Sequence, residues 1–90
     1  MTTYKTRIED KLRAAFNPVL LEVLDESSKH HGHGGWREGG ETHFRIVIEA
    51  DAFTGKSRVE THRAINQVLT AELAERVHAL AIEARGRPTA

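Results

Sequence analysis

The sequence predicts an α+β fold of two layers, α-β-β-α-α-β in order, with a three-stranded sheet carrying its helices on one face. Three observations predict it. Between Tyr4 and Phe16 the apolar residues Tyr4, Ile8, Leu12, Ala15 and Phe16 recur with a helical period. From Thr42 to Ala50 the chain alternates, with Phe44, Ile46 and Ile48 on one side and His43, Arg45, Val47 and Glu49 on the other, as expected of a strand covered on one face. Ser57-Arg58-Val59-Glu60 then has capping-box spacing and opens a second helical region, which gives way to the β-favouring run Val77–Ala84.

Length and charge set the frame for these elements. Ninety residues, 39% hydrophobic and 29% charged, suffice for one domain spanning residues 1–90 with a modest core. There is no cysteine, so the chain offers no disulfide, no thiolate nucleophile and no thiolate metal ligand. Thirteen basic residues balance thirteen acidic ones, which removes the overall positive field that draws proteins to phosphate backbones. The opening residues lead straight into the helical pattern without an apolar signal core, and no apolar run approaches the ~20 residues that span a bilayer. A soluble cytoplasmic protein without a membrane partner is expected.

Taken in order, the first helix exposes Arg7, Glu9, Asp10, Lys11 and Arg13. Its start is open between a cap at Thr2 or Thr3 and the capping-box pair Thr6 and Glu9. Asn17-Pro18 ends it, because proline disfavours helical geometry at the preceding residue and lacks the donor that continuation needs. Val19–Leu24 reads as strand one, closed by the polar run Asp25-Glu26-Ser27-Ser28. After strand two, Asp51–Lys56 forms a turn. The second helix runs through about Thr70, with Val59, His62, Ile65 and Leu69 expected on its apolar face. A short further helix surrounds Ala71–Arg76, and strand three should place His78, Leu80 and Ile82 on one face. Residues 85–90 read as a frayed tail, and the helical carboxylates as solvated faces.

Between strands one and two lies a long loop, residues 27–40, that carries His30, His31 and His33 among several glycines and Trp36. Hairpin loops usually take two to five residues, so this excess points to function or disorder. Clustered imidazoles on such a backbone suit borderline metals, although His-Gly-His lacks zinc-finger spacing. On the residues alone, His78 reads as a partly buried core histidine beside Leu80 and Ile82, His62 as a structural residue, and His43 as a group that orders the sheet surface or is simply solvated.

Several segments in order resemble the BolA family: Leu21-Glu22-Val23 leading into Asp25-Glu26-Ser27, Gly40-Glu41-Thr42-His43-Phe44-Arg45, Phe53-x-Gly55, His62-Arg63 and Val77-His78-Ala79-Leu80. They cover nearly the whole chain. The resemblance implies a class II KH-like fold, in agreement with the element order above. It also implies an adaptor that pairs with a monothiol glutaredoxin and shares a bridging 2Fe-2S cluster in iron-sulfur trafficking or iron homeostasis, holding no cluster when alone. The implied ligands are His78 and, counting on from Glu26-Ser27, His30, with His33 and His31 as alternatives because the loop does not match residue for residue. Glutaredoxin thiolate and glutathione would complete the set. Without its partner the protein is expected to be a monomer or weak homodimer, and the longer tail of the family is expected to be absent or very short.

A rival function is nucleic-acid binding and transcription regulation, carried by Lys56, Arg58, His62 and Arg63 near the turn into the second helix. Against it stand the zero net charge and the lack of a Gly-x-x-Gly clamp between helices. Thr61 occupies the place of a basic residue common in the family, which thins the patch further. Catalysis has no support. No nucleophile and base stand at recognisable spacing, and Gly55-Lys56-Ser57 lacks the upstream glycine of a phosphate-binding loop.

Overall fold

A computed structural model describes residues 3–27 and 40–87. Helix α1 (Tyr4–Phe16) is followed by strands β1 (Leu20–Asp25) and β2 (His43–Glu49), helices α2 (Arg58–Val68) and α3 (Thr70–Glu75), and strand β3 (Ala79–Arg85). The sheet order is β1-β2-β3, with β1 antiparallel and β3 parallel to the central strand. A parallel pair needs a crossover, and α2 with α3 provides it. The two-layer α+β architecture predicted from pattern is therefore the one observed.

Local chemistry explains the boundaries. Thr3 is the cap of α1, its hydroxyl accepting from Thr6 N at 3.1 Å, so the Thr6–Glu9 pair is not used as a capping box. At the far end Asn17 adopts φ 47° and donates its N–H to Arg13 O before Pro18, a left-handed stop that asparagine tolerates better than most residues. The predicted box at α2 does form, with Ser57 Oγ accepting from Glu60 N and Glu60 Oε1 accepting from Ser57 N.

Register then builds the core. Val23 lies opposite Ile46, and Ile46 opposite Ile82. Together with Phe44 and Ile48 they form the inner face, on which Ile8 and Leu12 of α1, Ile65 of α2 and Leu69 just after it are buried. Phe16 and Phe53 close one end, ring centroids 4.8 Å apart. The opposite face carries Arg45, Val47 and Glu49, as alternation predicts, and Arg45 is tied to Glu26 and Glu83 at 3.2 Å each.

Five expectations need correction. Val59 is exposed, because the stripe that packs on the sheet is Thr61, Ile65 and the C-cap Leu69, at i, i+4 and i+8, and the buried Thr61 hydroxyl is satisfied there by donating to Ser57 O. Strand β3 starts at Ala79, which leaves His78 exposed just before it rather than packed beside Leu80 and Ile82. His43 is buried rather than solvated. Glu72 is not on a solvated face: it is wholly buried between Arg7 and Lys11, each at 2.8 Å. Residues 85–87 are not a frayed tail, since Arg85 completes β3 and Gly86 lies where an added Cβ would be 2.5 Å from Thr54 Cα.

Candidate functional site

The two ends of the long loop are fastened to each other by a small polar network. Asp25, the last residue of β1, accepts from Ser27 N at 2.9 Å and Ser27 Oγ at 2.6 Å on one oxygen, and from Glu41 N at 3.1 Å on the other. This is an Asx-type turn reinforced across the hairpin. Ser27 Oγ in turn accepts from Thr42 N at 2.9 Å and His43 N at 3.2 Å. Ser27 and Thr42 are both buried, so the network replaces water rather than competing with it.

Charge is matched there too. Burial raises the Asp25 pKa, but the hydrogen bonds from Ser27 and Glu41 and the positive charge of Arg76 outweigh it and hold the carboxyl below its ordinary value. Arg76 also grips the carbonyl of Gly40 with Nε at 2.9 Å and Nη2 at 2.7 Å. Gly40 and Glu41 both take positive φ, 73° and 61°, to bring that carbonyl round. A side chain at Gly40 would be strained and would crowd Asp25 Oδ2.

The same foot positions His78. Its backbone N–H donates to Thr42 O at 2.7 Å, and Ala79 N also donates to that carbonyl, at 3.3 Å. Thr42 therefore connects the loop foot on its amide side to the start of β3 on its carbonyl side. The exposed His78 imidazole stands in near-parallel register with the buried ring of His43, with centroids 6.2 Å apart and planes 19° from parallel. His43 Nδ1 shares a 2.9 Å hydrogen bond with Thr42 Oγ1. An exposed imidazole on fixed backbone can accept a metal through its neutral nitrogen, whereas the buried His43 is better suited to shaping the floor.

The predicted loop ligands His30, His31 and His33 lie outside the described residues. His78, the fourth, is placed at the foot of the loop that carries them. Of the rival set, Arg58 and His62 share a groove with Val47, Ile82 and Arg85. Arg63 and Lys56 are exposed and do not line it. Pattern reading missed the fastening residues Asp25, Ser27, Thr42 and Arg76. Asp25-x-Ser27 is itself an Asx-turn signal, but only the folded hairpin brings Thr42 to it.

A family profile described as BolA-like protein matches residues 12–87. The chain belongs to the BolA family. Among relatives, the Escherichia coli protein named DNA-binding transcriptional regulator BolA is 49% identical over 78 residues, covering 87% of this chain and 70% of that one. The BolA domain of SufE1 from Arabidopsis thaliana superimposes with a TM-score of 0.85 at 44% identity, covering 96% of this chain and 94% of that domain. The solution structure of mouse BolA1 gives 0.77 at 35% identity, covering 96% and 67%. Such BolA domains share the three-stranded sheet and helical layer described above, so the fold implied by the resemblance is confirmed.

Proposed function

We propose that this BolA protein is an adaptor rather than an enzyme, pairing with a monothiol glutaredoxin and contributing His78 and one loop histidine to a shared 2Fe-2S cluster. His30 is the foremost loop ligand, with His33 and His31 as alternatives. The observation that carries the reading is the hydrogen bond from His78 N to Thr42 O, at 2.7 Å, which keeps an exposed imidazole beside the foot of a histidine-rich loop. The donor set suits the group. A chain without cysteine cannot complete a thiolate cage, but two imidazoles suit the half-set left open by a partner thiolate and glutathione. Such a cluster supplies iron-sulfur units or an iron-dependent signal, at a potential raised by histidine ligation.

Within this scheme the chain's own residues do the positioning. Asp25, Ser27 and Arg76 bring the loop ends together, and Thr42 fixes the His78 backbone. Anaerobic co-purification with a monothiol glutaredoxin, followed by visible absorption and circular dichroism, tests the reading. His78→Ala and His30→Ala should each alter or abolish the spectrum of the pair. Spectra unchanged by both substitutions would refute the ligand assignment.

A second reading, DNA binding, draws on the name of the Escherichia coli relative and on Arg58 and Arg63, which have no hydrogen-bond or ion-pair partner among the described residues. Titration of duplex DNA against salt tests it. Backbone binding should weaken steeply as salt rises, and a lack of binding at low salt removes the reading.

A further inference from the structure

Among the described residues strand β3 has a neighbouring strand on one side only, so residues 79–85 present an open edge of the sheet. An open edge presents N–H and C=O groups in the spacing of another strand and is a ready template for one. Many edges are blunted by proline, a bulge or an overlying loop. Here the seven residues pair with β2 in unbroken register and contain no proline.

Around this edge runs a groove of about 430 Å³, lined by β3, the first turns of α2 and Val47 of β2. Its apolar lining comes from Val47, Ile82 and Ala84. Its rim is basic on the helix side, where Arg58 and His62 lie one turn apart, and Arg85 adds a third basic group. The acids nearby are already engaged: Glu83 by Arg45 at 3.2 Å and Glu49 by Arg85 at 2.8 Å. Arg58 has no partner among the described residues, so the uncompensated charge of the groove is positive.

We infer that the β3 edge and its groove form a docking site for an extended acidic segment of a partner protein, which adds to the sheet as a fourth strand. Its main chain would pair with β3, alternate apolar side chains would cover Ile82 and Ala84, and a carboxylate would face Arg58. Charge complementarity identifies the occupant. A nucleic-acid strand carries charge at every step, whereas this groove offers Arg58 as a cation without a partner among the described residues, on a chain whose net charge is zero. A peptide can place one carboxylate opposite Arg58 and leave the rest neutral. The inference does not rest on the glutaredoxin reading. The β3 residues that line the groove, Ile82 to Arg85, lie four to seven residues past His78, roughly 13–23 Å along an extended chain.

The test uses the full chain and a blocked seven-residue peptide that carries valine, glutamate and valine at alternate positions with threonine between them, followed by amide NMR titration. A valine-lysine peptide, the same with lysine for glutamate, and a short single-stranded DNA serve as the other arms. The expected result is perturbation and slowed exchange of amides in residues 79–85 and 58–62 with the acidic peptide alone. Arg58→Glu should weaken that binding about tenfold or more and leave the unliganded spectrum folded, since an acid is favourable in the first turn of a helix. His78→Ala should bind as the wild type does. Equal binding of the valine-lysine peptide, preferential binding of the DNA, no response at β3, or indifference to Arg58→Glu would each overturn the inference.

Discussion

Ser27 and Thr42 lie fifteen positions apart, yet the Ser27 hydroxyl accepts the Thr42 amide at 2.9 Å in a site from which water is excluded. Through Asp25 on one side and the Thr42 carbonyl on the other, that contact ties the end of β1, the return of the long loop and the backbone of His78 into one unit.

Removal of the hydroxyl therefore has a local signature. Ser27→Ala strands the buried Thr42 amide and deprives Asp25 of its 2.6 Å donor, which should cost about 1–3 kcal/mol. Chemical unfolding measures the loss. Hydrogen exchange should quicken first at Thr42, His43 and His78, while Ile46 and Ile65 in the core follow only global unfolding. Uniform acceleration across the chain would contradict a role confined to the loop foot.

His78→Ala separates a ligand from a core histidine. Its ring is exposed and its backbone hydrogen bond survives the substitution, so unfolding stability should change by no more than about 0.5 kcal/mol. A loss of several kcal/mol would return His78 to the structural role that residue pattern alone suggests.

Acid should weaken the fold through Glu72. Burial raises its pKa, but the hydrogen bond from Lys11 and the charges of Lys11 and Arg7 prevail and hold it below the ordinary carboxylate value. A group depressed in the folded state stabilises above its unfolded pKa of about 4.3, and the contribution is lost as pH falls through the lower, folded value. Asp25 is depressed in the same direction and adds to the fall. Urea unfolding should thus show stability declining as pH falls below about 5. Glu72→Gln should lower stability at pH 7 by about 1–3 kcal/mol and flatten the acid decline; an unaltered decline would exclude Glu72 as its source.

Much of this molecule is written locally. Helical period, the Asn17-Pro18 stop, the Ser57–Glu60 box and the alternation of Phe44, Ile46 and Ile48 each depend on neighbours a few residues away, so the α-β-β-α-α-β order is readable from the chain. The cysteine-free composition and the histidine-rich loop are equally legible. Strand edges are less so: β3 opens at Ala79, where its pairing with His43 begins, and the preceding His78 N–H donates to Thr42 O, a contact across 36 positions.

Only the tertiary structure decides the parallel pairing of β2 with β3, the burial of Glu72 between two cations, the turn of α2 that exposes Val59 while burying Thr61, and the meeting of Ser27, Thr42 and His78. The physical reason is the same in each case. A side chain's local pattern records which face it can occupy, whereas its partner across the sheet or between layers is fixed by register and packing, which come into being together when the core closes.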